Sequence, residues 1–425
     1  MNLRKGCLLG LSFLCLFIHG SCGDSGAPNP PPGGKICQGS LSLPPLPSEP
    51  GTFSGILFTP VGSHFPNSNL VDVEFLPGQN GDAALIGKDG TIYYAKNDFS
   101  FLIEPDPFQV EDDGEQGMLN VAADPDYANN CFLYFYFTPT GGGVNRVVRG
   151  TVTYDGSVFT VTDRQLIIEF SKSGPNNNPD PGANHNGGSL LFDGDKLLMG
   201  VGDGGGGGST NTTANIAQRG NTRLGKILRI VPSRTDGSGG FTLPPEGNDT
   251  PGGDLPEIYA RGVRNPFTLA KGNGVIFIGD VGEGSFEEID MITQAGQNFG
   301  WPQVEGPGGA PTFVDPIGGY NHGADLTARD TEDPEDNPTG PISLLLGNFY
   351  AGPRYGGFLT NTLIYGDFFH AFVRGLVLDG ANQVVSDNHL GHQGGLTGLH
   401  QSPDGFLYGV SLGGSDQILR VDLRP

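Results

Sequence analysis

Basic residues are scarce in this sequence: 23 Lys and Arg stand against 46 Asp and Glu in 425 residues, a formal charge of −23. A surface of that sign repels phosphate backbones and anionic lipid, so nucleic acid is not an expected partner. Tryptophan occurs once and cysteine five times. No two cysteines fall in a CxxC spacing, which argues against a zinc centre. No segment holds an apolar period of 3.6 residues over three turns, so a helical domain is set aside. GxSxG and HExxH are both missing, and with them two hydrolytic signatures. The glycine run at 204–208 lacks the Lys-Ser/Thr that a phosphate-binding loop needs.

Glycine and proline, by contrast, are plentiful, at 72 and 34 residues. Both weaken helix interiors, while Val, Ile, Phe and Tyr recur in short runs. Six units read as turn, apolar strand, turn: DGTIYYAKN from Asp89, NNCFLYFYFT from Asn129, GDKLLMGVGDGG from Gly194, GNGVIFIGDVG from Gly272, NTLIYGDFF from Asn361 and DGFLYGVSLGG from Asp404. Their irregular spacing predicts an all-β chain built by radial repetition, with a sandwich as the alternative. QILRVDLRP from Gln417 is a strand able to close such a ring with N-terminal material. Long polar loops at 172–184, 204–215 and 306–341 are expected to crowd one face.

The N-terminus predicts export. Arg4 and Lys5 precede an apolar run from Cys7 to Ile18, then Gly20, Ser21 and Cys22. The run is too short for a stable membrane span. Residues 1–22 are expected as the signal, 23–45 as a flexible tether and 46–425 as the propeller. Cys22 is a candidate lipid-attachment residue, although His19 departs from the usual aliphatic residue; simple secretion is the alternative. The expected location is therefore the periplasm, the outer membrane or the exterior, with membrane contact only through Cys22. Cys37 and Cys131 remain as a plausible disulfide in such a compartment.

Four longer stretches carry more than pattern. They are GEQGMLNVAADPDYANNCFLYFYF from Gly114; ANHNGGSLLFDGDKLLMGVGDGG from Ala183 with NTRLGKILRIV from Asn221; PEIYARGVRNPFTLA from Pro256 with GDVGEGSFEEIDMITQAGQNFGWPQVEG from Gly279; and, more loosely, NFYAGPRYGGFLTNTLIYGDF from Asn348. In order and spacing they resemble the soluble quinoprotein glucose/sorbosone dehydrogenases. The resemblance implies a six-bladed β-propeller of four-stranded antiparallel blades that binds pyrroloquinoline quinone and Ca²⁺ and oxidises a sugar or related alcohol by hydride transfer. The electron acceptor beyond the quinone is left open. His185 is the implied general base, and an imidazole of pKa about 6.5 suits proton removal near neutrality. Arg264 would polarise the quinone, with Asn265 beside it. Gly282 and Glu283 would offer backbone carbonyls to the calcium. Tyr320 and His322 would rim the pocket, Trp301 would pack between blades, and Glu287 and Glu288 would support the turn.

Departures from the family pattern are equally specific. Glu115 stands where sugar-oxidising members carry a glutamine against the quinone. GGLTGLH from Gly394 lacks an arginine, and YGDFFHAFVRG from Tyr365 has Phe369 or His370 where a lysine is expected. Arg354 and Arg374 are the candidates to replace those cations. The departures lean toward the alternative, a non-catalytic, calcium-stabilised propeller like the hedgehog-interacting branch, binding a glycan or protein at the cell surface.

Overall fold

In the computed structural model, the structure describes residues 53–61, 65, 69–172, 184–205, 215–323, 341–412 and 417–424. The export signal, the tether, Cys37 and most of the three long loops lie outside the described residues. Helix is confined among the described residues to one turn at Tyr127–Asn130 and a 3₁₀ turn at Ile216–Gln218.

Strand formation follows the alternation of the apolar runs. Along Phe132–Phe137, the residues Phe132, Tyr134 and Tyr136 pack on one side, while Leu133, Phe135 and Phe137 pack on the other. Both faces are buried, as expected of a strand held between two neighbouring sheets. Six antiparallel sheets result. Their inner strands are Leu70–Phe75, Met118–Ala123, Leu190–Asp193, Pro266–Gly272, Leu344–Tyr350 and Leu396–Gln401, which begin blades 1 to 6 in order. Each inner strand touches the next, and the sixth touches the first, so the ring closes. The fold is a six-bladed β-propeller.

The core lies between blades. Six apolar clusters fill the six clefts; Ile86 and Tyr94 of blade 1 meet Val121 and Phe135 of blade 2, and Val73 and Tyr93 of blade 1 meet Val410 and Ile418 of blade 6. Each large side chain so buried contributes roughly 1.5–3 kcal/mol. Closure uses both ends of the chain. Gly55–Val61 is the outermost strand of blade 6 and pairs antiparallel with Gln417–Arg424, from Gly55 opposite Arg424 to Val61 opposite Ile418. Blade 3 carries one addition, Phe241–Thr242, paired to Lys226–Pro232 beside Ile258–Arg261. Cys131 is buried and disulfide-bonded; Cys37, its expected partner, is not among the described residues.

Candidate active site at the mouth of the channel

The first residues of all six inner strands, or the turns leading into them, surround a cavity of about 710 Å³ on the ring axis. Val71, Leu119, Gly187, Phe267, Leu345 and Thr397 each come from a different blade. A second chamber of about 200 Å³ is lined by residues further along the same strands, among them Asp72, Glu74 and His400. Val71, Leu119, Phe267 and Thr397 line both, forming a collar between them.

His185, Arg264, Asn265, Gly282, Glu283 and Glu115 all line the larger cavity. They reach it from four separate parts of the chain. His185 takes a left-handed backbone conformation (φ 50°) in the turn before the inner strand of blade 3. Its N–H donates to Glu115 Oε2 at 2.6 Å, and its Nδ1 lies 2.7 Å from Asp203 Oδ1. Asp203 is held in turn: Trp301 Nε1 donates to its Oδ2 at 2.9 Å, and the Gly205 N–H donates to its Oδ1 at 2.9 Å. Imidazole and carboxylate are both largely covered, with 16% and 15% of their side-chain surface exposed, so the pair is shielded without being sealed.

Arg264 is fixed on the next side. Its backbone N–H donates to Asp280 Oδ2 at 2.8 Å, its Nη1 donates to the Val281 carbonyl at 2.8 Å, and its guanidinium carbon lies 5.6 Å from the Trp301 ring. Its Nε is buried without a hydrogen-bond partner. Asn265 accepts the Gly187 N–H on its side-chain oxygen at 2.9 Å, which ties blades 3 and 4 together beside His185.

The turn that follows is shaped by two acids. Glu305 Oε1 accepts the N–H groups of Glu283, Gly284, Ser285 and Phe286 at 2.7 to 3.3 Å. Burial opposes ionisation of Glu305, but those donors outweigh it and hold its carboxyl below the usual range. Glu287 accepts Gly282 N–H at 3.2 Å and His322 Nε2 at 2.9 Å on one oxygen, and Leu344 N–H of blade 5 at 3.0 Å on the other. At Gly282 a side chain has no room: a Cβ there would stand 2.0 Å from the Phe286 carbonyl oxygen.

Beneath this turn three buried carboxylates converge. Oxygens of Asp280, Glu288 and Asp290 lie within 4.8 Å of one another, brought together because Asp280 pairs with Glu288 and Ile278 with Asp290 across adjacent strands. Asp280 accepts the Arg264 and Asn265 N–H groups, and Glu288 accepts that of Gly306. Neither oxygen of Asp290 has a hydrogen-bond partner. Burial pushes Asp280 up to about 7, Glu288 up to about 8 and Asp290 well above the carboxylate range. Carboxylates this close and this dry must hold protons or a cation. Among the described residues, this trio is the acidic cluster able to hold a metal ion.

Two expectations about the pocket fail. Tyr320 is fully buried in the cleft between blades 4 and 5, where its hydroxyl donates to Asp367 Oδ2 at 2.8 Å, so it stacks on nothing in the cavity. The strand ends at Asn321, and only His322, past that end, reaches the mouth. Arg354 and Arg374 do not replace the missing cations. Arg374 is bound to Asp387, with Nε 3.1 Å from Oδ1, and Arg354 packs 4.0 Å above the Phe406 ring. Phe369, not a lysine, faces the cavity, together with Phe368.

A family comparison matches residues 68–420 to Glucose / Sorbosone dehydrogenase. The chain belongs to that family. Among curated relatives of this dehydrogenase-family protein, the uncharacterized protein slr1608 of Synechocystis is 29% identical over 316 residues, covering 72% of this chain and 70% of its own. HIPL2 protein of Arabidopsis thaliana is 28% identical over 275 residues, 50% of this chain and 38% of that one. Quinoprotein glucose dehydrogenase B of Acinetobacter calcoaceticus is 27% identical over 257 residues, 53% of this chain and 50% of that one. The match thus spans half or less of the last two proteins. In fold, the PQQ-bound aldose sugar dehydrogenase of Streptomyces coelicolor superposes with a TM-score of 0.65 at 24% identity, covering 89% of this chain and 100% of that one.

Sequence reasoning missed Asp203, Glu305 and Lys88. Asp203 sits in GVGDGG, where its glycine neighbours read as a turn; its position just past the second strand of blade 3, Lys196–Val201, was the available signal. Lys88 lines the cavity, but its Nζ donates to the Asp112 and Gly114 carbonyls at 2.6 and 2.7 Å.

Proposed function

We propose that this protein is a calcium-dependent dehydrogenase of a sugar or related alcohol, with a quinone-type group as hydride acceptor. The observation that carries this reading is the His185–Asp203 pair at the mouth of the channel, beside Arg264. With Nδ1–H donated to Asp203, His185 presents Nε2 as the basic nitrogen, and Asp203 stabilises the imidazolium once a hydroxyl proton arrives. Trp301 and Gly205 keep Asp203 from turning away. Proton removal is the half of the oxidation that these side chains perform; the hydride needs a two-electron acceptor.

Pyrroloquinoline quinone, the group named for the Streptomyces neighbour, meets these residues at one end only. The guanidinium of Arg264 and the side chain of the neighbouring Asn265, both lining the cavity, suit a quinone oxygen. Its three carboxylates find no matching cations, since Lys88 and Arg264 are the Lys and Arg residues lining the cavity among those described, and Glu115 and Glu283 offset them. Each charge-assisted hydrogen bond forgone costs about 1.5–3 kcal/mol. The residues present therefore do not fit the tricarboxylate. For calcium, the Gly282–Glu283 carbonyls and the Asp280–Glu288–Asp290 trio are the places offered among the described residues. The Cys131 disulfide supports an oxidising, extracytoplasmic location.

The decisive assay supplies purified protein with Ca²⁺, a panel of quinones, aldoses and a reducible dye. Dye reduction that requires His185 supports the reading; none across the panel, with the protein folded, ends it. A second reading, a calcium-stabilised binding propeller, draws on the HIPL relatives and the same shortage of cations. It predicts melting that responds to calcium and to no quinone.

A further inference from the structure

The cavity is divided by chemistry. Its ionisable lining, Lys88, Glu115, His185, Arg264, Glu283 and His322, comes from blades 1 to 4 and the turns joining them. The lining from Pro341 onward, contributed by blades 5 and 6, holds no ionisable side chain among the described residues; Ile342, Leu345, Phe368, Phe369, Leu396 and Leu412 dominate it. Phe368 and Phe369 meet edge to face, with ring centroids 4.8 Å apart. Phe369 keeps 52% of its surface exposed, unusual for a ring of that size beside a cavity.

The ionisable groups packed behind that wall are occupied or turned away. Asp367 accepts the Tyr320 hydroxyl and the N–H groups of Ser343, Phe369 and His370. His370 is buried and does not line the cavity. Arg374 is paired with Asp387. Among the described residues no cation belongs to that wall, so an anionic group placed against Phe368 and Phe369 would lose solvation on that side without a counter-charge, which is unfavourable. An uncharged, flat, apolar ring would gain contact there.

We propose that the hydride acceptor held in this cavity is an uncharged quinone, its carbonyl end at Arg264 and Asn265 and its apolar ring edge against Phe368 and Phe369. The proposal rests on the dehydrogenase reading for its chemistry. In that chemistry the alcohol loses a C–H hydride to the quinone and its O–H proton to His185. The substrate becomes a carbonyl compound, and the quinone, gaining the hydride and a proton, becomes a hydroquinone. The Phe wall takes the place of a cation that a carboxylated quinone requires.

Calorimetric titration of the full chain with duroquinone and, separately, with pyrroloquinoline quinone tests this without turnover. Duroquinone is expected to bind at least about tenfold more tightly, the size of one hydrogen bond to a charged group. Phe369→Lys should raise affinity for the tricarboxylate by about the same factor and weaken duroquinone. Phe369→Ser should weaken duroquinone and leave the tricarboxylate unimproved. Phe369 is half exposed, so these variants should fold; unchanged melting confirms it. Tighter binding of the tricarboxylate by the unaltered protein, an unmoved preference in Phe369→Lys, or binding of neither quinone overturns the proposal. If duroquinone binds as expected but no alcohol is oxidised, the dehydrogenase reading fails and the ligand assignment stands.

Discussion

His185 and Asp203 share a hydrogen bond of 2.7 Å although 18 residues separate them, one before and one after the first two strands of blade 3. The blade turns the chain back on itself, so the base and the acid that orients it are delivered by one hairpin. Substituting His185 by Ala should lower kcat by about 10²- to 10⁴-fold. Asp203→Asn should lower it by about 10²-fold or more with little change in KM, because the amide no longer stabilises the imidazolium. A kcat that ignores both changes would remove the pair from the chemistry.

The buried carboxylates give a pH signature. Asp280 and Glu288 have folded values raised to about 7 and about 8 from 3.8 and 4.5, so the fold binds their protons more tightly than the unfolded chain. Their contribution is fully present below the unfolded values and is lost as pH rises through the folded ones. In chelator, the melting temperature should therefore fall between about pH 4 and about pH 8. Calcium should restore more of it at the alkaline end, by taking over from the protons. Asp290→Asn should flatten both effects. Melts that are flat in pH and indifferent to calcium would contradict the assignment.

Glu305 offers a sharper structural test. Four consecutive N–H groups end on one of its oxygens. Glu305→Ala should cost about 1–3 kcal/mol in chemical denaturation, the desolvation penalty of donors left unmet. Glu305→Gln, which keeps an acceptor oxygen, should fall between the two proteins. No loss in either variant would mean that water replaces the carboxylate.

Ring closure makes its own prediction. Removing residues through Val61 strips the outermost strand from blade 6 and leaves Gln417–Arg424 as an open edge, whereas removal only through Thr52 spares it. The shorter chain should self-associate on size-exclusion chromatography and melt earlier than the longer one. Identical behaviour would show that the pairing adds nothing.

Much of the architecture was legible because apolar runs bounded by turn residues record strands directly. Five of the six repeated units are the second strand of a blade; the first, from Asp89, is the third strand of blade 1, whose second strand, Ala83–Gly87, carries no aromatic residue. His185, Arg264 and the Gly282 turn could be gathered in advance because the family motifs name them. Tyr320 could not be placed, since in a strand successive side chains alternate between faces, and the short run Gly318–Asn321 has no apolar alternation that says which face Tyr320 takes. The fate of Arg374 was also hidden: its partner Asp387 lies on a neighbouring strand, and pairing register is not written in a single strand's sequence.

The seam between Gly55–Val61 and Gln417–Arg424 also bears on how the molecule is made. Among the described strands the first to be synthesised has its partner in the last, so it waits, unpaired, through translation of all the blades that lie between them. Contacts that span such a separation form slowly, and a half-finished ring presents raw apolar clefts to whatever is nearby. Completion, not initiation, is therefore the vulnerable moment in this protein's folding.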